Sequence, residues 1–194
     1  MGKSSLINTL FSSAIIPEER DRLGTAEPHP QLAAFHGERV EGGVCLKVEA
    51  TEVLGYTSPA RLEEEGYAAG LLDWVRQRHY SCYENECQSD RNLDEAFDGL
   101  IHVVLYFVPP TFQQFSEAEL DLFRALQKLT LLLPVLAKAD MYTPRELKSR
   151  KMMLRAQFKA STMECLPNLL QGHRDTWLVN EFNDLMVVTI ISCL

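Results

Sequence analysis

Nothing in this sequence is apolar for long enough to cross a membrane. The longest runs, Leu129 to Ala137 and Leu100 to Pro110, fall well short of the roughly 20 residues a spanning helix needs, and no signal-peptide pattern precedes them. An excess of positive charge is also missing. The 194 residues carry 19 Lys and Arg against 27 Asp and Glu, a formal net charge of −8, which argues against the broad cationic footprint of a nucleic-acid-binding protein. The cysteines, Cys45, Cys82, Cys87, Cys165 and Cys193, are odd in number and lack the C-x-x-C spacing of a zinc site, the pattern of a reducing, cytosolic setting. The histidines, His29, His36, His79, His102 and His173, are scattered rather than clustered and read as structural or solvated residues. No internal repeat or low-complexity tract is present.

What is there suits one globular domain, with 46% apolar residues, 24% charged residues and nine prolines. Helical and buried-strand signals alternate, the pattern of an α/β domain with a mainly parallel sheet. Apolar spacing predicts a first helix over Ser4 to Phe11, and a loop rich in Pro, Glu and Arg follows from Ile16 to about Pro30. Strands are expected over Gln31 to Val40 and Val44 to Val53. Glu41-Gly42-Gly43 between them is a hairpin signal, so the two should pair antiparallel. Leu54 to Ser58 reads as a turn, Leu71 to Tyr83 as a helix, and Glu84 to Asp98 as a polar loop. Leu100 to Val108 has the near-continuous apolar character of a strand covered on both faces, ended by Pro109-Pro110. Ser116 and Glu119 form a capping box for a helix through about Lys128, with Leu120, Phe123 and Leu126 as its inner stripe. A strand over Leu129 to Leu136, a helix over Pro144 to Ala160 and a last strand over Met186 to Ile191 complete the expected order. Glu63-Glu64-Glu65 reads as a solvated face, and Trp74, on an apolar stripe, as a core residue.

Two short motifs carry the chemistry. Met1-Gly2-Lys3-Ser4-Ser5 is the second half of a phosphate-binding loop, G-x-x-x-x-G-K-[ST], in which backbone amides and a lysine gather phosphate oxygens and a hydroxyl takes magnesium. Its leading glycine and preceding strand are not in the sequence, so the start reads as a truncation. Leu6, Ile7, Leu10 and Phe11 supply the spacing of the helix that such a loop opens, whose N-terminal amides and dipole favour phosphate. The second motif, Ala137-Lys138-Ala139-Asp140, stands after the run Leu131 to Leu136, at the strand end where a doubly wound sheet places ligands. Taken alone it would be a strand-to-helix turn with solvated charges. Together the two motifs read as the ends of a guanine-nucleotide pocket.

The order of these motifs resembles the septins, filament-forming GTPases. Gly2 to Phe11 looks like the septin phosphate loop and its helix. Ile101-His102-Val103-Val104-Leu105-Tyr106-Phe107-Val108-Pro109-Pro110-Thr111 resembles the septin segment in which Ile-His precedes Leu-Tyr-Phe and then Pro-Thr. The spacing from Pro110 through Pro134 to Ala137-Lys138-Ala139-Asp140 fits, and Thr143-Pro144-Arg145-Glu146-Leu147 continues the likeness. It spans roughly Met1 to Phe158. The resemblance implies a three-layer P-loop NTPase-like α/β domain with a mainly parallel sheet, its first strand missing: a single septin-type G domain over residues 1–194, incomplete at both ends.

It further implies GTP or GDP and Mg2+ as cofactors. Gly2, Lys3, Ser4, Ser5, Gly55, Lys138 and Asp140 would be the nucleotide-binding residues, and Ser4 and Glu52 the metal ligands. In that scheme Lys3 binds the β and γ phosphates, Ser4 ligates magnesium and Ser5 supports the α-phosphate side. Asp140 pairs with the guanine edge, and the stem of Lys138 lies over the base. A carboxylate there matches two adjacent donors of guanine and would be left unpaired by adenine. Implied partners are other septin subunits in hetero-oligomeric filaments, with membrane-surface association through those partners, no nucleic acid, and a cytoplasmic location at the cytoskeleton and cell cortex.

Departures from the septin pattern bear on turnover. Where septins have Asp-Thr-Pro-Gly, this chain reads Glu52-Val53-Leu54-Gly55. The switch threonine has no counterpart near His29, Thr25 being the nearest, and Pro110-Thr111-Phe112-Gln113 replaces Pro-Thr-Gly-His. Slow or absent hydrolysis is therefore expected, a weak GTPase at most, and the alternative is a non-catalytic septin-like structural module that no longer binds nucleotide.

Overall fold

A computed structural model of the chain describes residues 2–17, 30–54, 56, 59–88, 99–161 and 188–189. The chain forms two compact units, one of Lys3–Ile101 and one of Met1–Gly2 with His102–Leu194.

The first unit holds helix α1 (Lys3–Leu10), strands β1 (Gln31–Glu41) and β2 (Val44–Leu54), a 3-10 turn (Pro59–Glu63) and helix α2 (Tyr67–Glu86). The strands pair antiparallel from Gln31↔Leu54 to Glu41↔Val44. Their connection, Gly42-Gly43, has φ of 58° and 85°. Two successive left-handed residues make the kind of tight turn whose twist matches that of the strands, and glycine adopts it without a Cβ penalty. Side chains alternate along each strand, so the Ala33↔Glu52 and Gly37↔Val48 pairs share one face, and His36↔Glu49 the other.

The α1 segment packs on the first of these faces. A Cβ at Gly37 would lie 2.5 Å from Cγ1 of Ile15, so only glycine lets that buried isoleucine seat on the sheet. Arg39 Nη1 donates to the carbonyl of Phe11 at 2.6 Å. Asn8 then clamps the chain beyond the helix, its Nδ2 donating to the Ile16 carbonyl at 2.8 Å and its Oδ1 accepting from the Ile16 amide at 2.9 Å. Helix α2 takes the other face, where Arg78 bonds and ion-pairs with Glu49, and His36 Nε2 lies 3.5 Å from the same carboxylate.

The second unit holds β3 (Val103–Val108), α3 (Glu117–Leu126), β4 (Leu131–Leu136), a 3-10 turn (Ala139–Met141), α4 (Pro144–Ala160) and β5 (Val188–Thr189). Its sheet has the order β3-β4-β5, with both pairs parallel. Pro134 sits inside the central strand without breaking it. The amides of Leu131 and Ala137 donate to the carbonyls of His102 and Val108, so the alternation turns the missing donor of Pro134 away from β3. Val108, Phe115, Phe123, Leu132, Leu136, Leu154 and Phe158 form the core. Phe115 is its hub, with ring centroids 5.2 Å from both Phe123 and Phe158 and 4.5 Å from Phe112. Glu119 is 2% exposed yet satisfied: one oxygen accepts from the Tyr106 hydroxyl, and the other accepts the Ser116 amide at 2.7 Å in a complete capping box.

Several expected boundaries move. The strand expected from Leu100 begins at Val103, and its N-terminal end is exposed rather than covered. The strand expected from Leu129 begins at Leu131, because the amides of Leu129 and Thr130 close onto the Leu126 carbonyl after α3. Helix α2 starts earlier than expected, after Gly66 in the left-handed region, and runs to Glu86, into part of the stretch read as loop. Positions 89–98 of that stretch, Thr25, His29, Cys165, His173, Cys193 and most of the expected last strand lie outside the described residues. Leu10, one of the residues giving the first helix its apolar spacing, is 63% exposed; after the turn at Ser12, φ 48°, Ile15 and Ile16 are the buried residues.

Two outcomes follow from this packing. Phe123→Ala should destabilise the full chain by about 3–5 kcal/mol in urea unfolding, since it opens a cavity among Phe115, Phe158 and Tyr106. The second concerns the other capping box, where Glu146 bonds the hydroxyl and amide of Thr143 and these bonds hold its carboxyl below the usual range, helped by nearby Arg150. A depressed carboxyl contributes stability that is fully present above its unfolded value of about 4.3 and is lost as pH falls through the lower folded value. Unfolding measured from pH 6 downward should therefore show the wild type losing its advantage over Glu146→Gln below about pH 4.

Candidate functional site

Gly2 has φ of 79°, left-handed, and passes directly into helix α1 at Lys3. A left-handed residue followed by helical ones turns successive amides toward one concave point, the geometry that cradles an anion. Nothing lies within 4 Å of where a Cβ of Gly2 would be. No acidic residue stands in the first turn of α1 to occupy the helix end. Ser4 is buried at 7% exposure, while Ser5 faces solvent.

The structure brings Lys3 and Glu52 together. Lys3 Nζ lies 2.9 Å from Glu52 Oε1, with side chains 34% and 12% exposed. Glu52 reaches it because register places Glu52 on the α1 face of the hairpin, and α1 is fixed there at its other end by Arg39 and by the Gly37–Ile15 contact. Sequence reasoning singled out Lys3 and Glu52 but missed Gly37, Arg39 and Asn8, which set where Lys3 sits. Asn8 inside a short helix was the one available signal, because asparagine there competes with the helix for backbone partners. A hydroxyl at Ser4 and a carboxylate at Glu52 are hard oxygen donors of the kind magnesium takes, usually with waters and phosphate oxygens completing the shell. Among the described residues no group of three or more His, Cys, Asp or Glu could hold a metal, so an ion at this end would depend on phosphate oxygens. Gly55 lies outside the described residues.

Lys138 and Asp140 belong to the second unit. Ala137 and Ala139 are buried at 1% and 5% exposure, while Lys138 and Asp140 between and after them are exposed, so the motif alternates inward and outward at the end of β4. Lys138 has φ 53° and ψ 51°, left-handed, a conformation rare outside glycine, asparagine and aspartate. Its carbonyl accepts from the Met141 amide at 3.0 Å, closing the 3-10 turn that carries Asp140. Non-glycine residues held this way cluster at functional sites.

The segment after β3 explains one departure from the septin pattern. Phe112 packs on Phe115 and joins the aromatic core. The Phe112 carbonyl accepts from Arg150, that of Gln113 from Gln157 Nε2 at 3.0 Å, and that of Pro110 from the Tyr142 hydroxyl. Gln157 Oε1 accepts from the Phe115 amide at 3.1 Å. Phe112, where septins read Gly, here serves the interior of its own unit, while exposed Gln113 is held through its carbonyl.

Comparison with known proteins bears on both units at once. The septin family model matches residues 1–186. Septin-10 of Bos taurus is 28% identical over 164 residues, which is 84% of this chain and 35% of the relative. Cell division control protein 10 of Candida albicans is 25% identical over 170 residues, 86% of this chain and 46% of the relative. The chain thus spans between about a third and a half of the length of these relatives. Among solved structures, a septin GTPase domain from Chlamydomonas reinhardtii superposes with a TM-score of 0.56 at 19% identity, over 92% of this chain and 64% of that one. Cdc11 from Saccharomyces cerevisiae gives 0.54 at 17% identity, over 76% and 64%. The fold is accordingly the α/β, P-loop NTPase-like fold of septin GTPase domains, with its parallel sheet in the second unit. The family model's match over residues 1–186 places this chain in the septin family.

Proposed function

We propose that the chain is a guanine-nucleotide-binding septin module that assembles with other septin subunits into hetero-oligomeric filaments and hydrolyses GTP slowly or not at all. The observation that carries this reading is the left-handed Gly2 leading into Lys3 and buried Ser4 at the opening of α1, in a chain the septin model matches from its first residue. Lys3 would take β and γ phosphate oxygens, Ser5 would support the α-phosphate side, and Ser4 with Glu52 would hold Mg2+. Asp140 would pair with the guanine edge beneath the stem of Lys138, and Gly55 would approach the γ phosphate. The ion's contribution is to neutralise charge on the phosphates.

Turnover asks more of the protein. Phosphoryl transfer depends on positioning of the attacking water and on stabilising developing charge. Glu52 in place of an aspartate, and the absence of a threonine at the expected switch spacing, support binding without efficient hydrolysis. The name of one relative, a cell division control protein, supports a role in cell division; a location at the cytoplasmic cortex, membrane association through partner subunits and no nucleic-acid partner belong to the same proposal. A second reading, a structural septin module without nucleotide, is favoured by one observation: Lys3 is already engaged by Glu52.

Titration of the purified full chain with a fluorescent GTP analogue and Mg2+ decides between them. The nucleotide reading expects saturable binding that competes with GTP and not ATP, reduced at least about tenfold by Lys3→Ala and by Asp140→Ala, in line with removing a charged contact. A folded wild type that does not bind leaves the structural module. Lys138→Gly separates conformation from contact. It should weaken binding while raising stability by about 1 kcal/mol, because glycine adopts the left-handed turn without strain; a fall in stability would assign the lysine stem a packing role.

A further inference from the structure

We propose that the outer face of α4 is a docking surface for an acidic segment of another protein, an interaction that stands independently of the nucleotide reading. Helix α4 holds six of the chain's 19 Lys and Arg and one of its 27 Asp and Glu, so a chain of net charge −8 gathers positive charge on a single element. The one acid, Glu146, is turned to the hydroxyl and amide of Thr143 in the capping box. Arg150 is committed as well, to the Phe112 carbonyl and the Tyr142 ring. Arg145, Lys148, Met152 and Lys159 are exposed, and their spacing of three, four and seven residues sets them on one stripe, with half-buried Lys151 at its flank. The side chains of Arg145, Lys148, Lys151 and Lys159 make no hydrogen bond or ion pair with another described residue.

Charge and shape select the partner. From Arg145 to Lys159 the stripe runs roughly 21 Å at about 1.5 Å per residue, a length that an extended segment of about six or seven residues covers. Alternate side chains of such a segment stand about 6.6 Å apart, near the helical pitch of about 5.4 Å, so carboxylates can meet the cations at both ends of the stripe. Between them Met152, 61% exposed, offers an apolar contact to a non-acidic side chain. A helix that lies in a membrane surface buries an apolar face there. That face of α4 is already used, since Leu154 and Phe158 are in the core and Leu147 packs against it. Single-stranded nucleic acid is held by aromatic rings as well as by cations, and the stripe presents none. An acidic protein segment asks only for what the stripe has, a row of cations broken by one apolar residue.

The test follows the fluorescence anisotropy of a labelled polyglutamate peptide carrying one central leucine as the full chain is added, with phosphatidylserine vesicles and a DNA duplex titrated in parallel. The proteins are wild type, Lys148→Gln/Lys159→Gln, and Lys47→Gln/Lys128→Gln, which removes two exposed charges away from α4; circular dichroism confirms that each is folded. Because the chain as a whole is anionic, it repels the peptide except where cations are gathered. Wild type should bind saturably, and more weakly at about 200 mM than at about 50 mM salt. Lys148→Gln/Lys159→Gln should bind about three- to tenfold more weakly, in line with the loss of two exposed charge pairs, and the control double variant should change by less than about twofold. Equal losses in the two double variants, or no saturable binding by folded wild type, overturn the inference. Tighter binding of vesicles or duplex than of the peptide, lost in Lys148→Gln/Lys159→Gln, overturns it too and assigns the stripe to a lipid surface or to nucleic acid.

Discussion

The register of one hairpin governs the first unit. Because side chains alternate with a period of two, a slip of one residue would carry Glu52 to the α2 face and Glu49 to the α1 face, exchanging the two carboxylates between helices. The Gly42-Gly43 turn prevents that slip by admitting only a two-residue connection with both residues left-handed. Glu49 can then meet Arg78, Glu52 can meet Lys3, and Gly37 falls where Ile15 needs space. A structural requirement about turn geometry therefore sets the electrostatic surroundings of the lysine at the opening of α1.

The second unit is held by a different principle. Its aromatic cluster is arranged mostly edge to face around Phe115, and Glu119, the buried acid among its described residues, is satisfied by hydrogen bonds. The same residue caps α3 and anchors the Tyr106 ring through its hydroxyl, so helix initiation and sheet packing share a single carboxylate. The motif at the end of β4 rests on this base, since Leu136 and Ala137, both 1% exposed, lock the strand end from which Lys138 and Asp140 project.

Much of this was legible in the sequence, and the reasons are local. The hairpin, the capping boxes at Ser116 and Thr143, and α4 with the bounds expected of it are each set by residues within a few positions of one another. The strand ends were not legible, because apolarity continues past them: Leu100, Ile101 and Leu129 are as apolar as any strand residue, and where pairing starts depends on which carbonyl a distant amide reaches. The early start of α2 was hidden because Gly66 caps it through backbone conformation, without a side-chain signal. At the candidate site the charged residues could be named from the motifs. The contact between Lys3 and Glu52 could not, because it requires the turn, the register and the placement of Ile15 to act together over a separation that no spacing rule encodes.

Gln157 gives the segment after β3 a property that neither element has alone. One side chain bonds the amide of Phe115 and the carbonyl of Gln113, while Arg150, two turns earlier on α4, holds the carbonyl of Phe112. Loop and helix are consequently a single inheritable part. Grafting the Gly-His of other septins onto positions 112 and 113 would remove a ring from the aromatic core without supplying a new use for the helix side chains that grip the loop, so evolutionary change in one must be matched by change in the other.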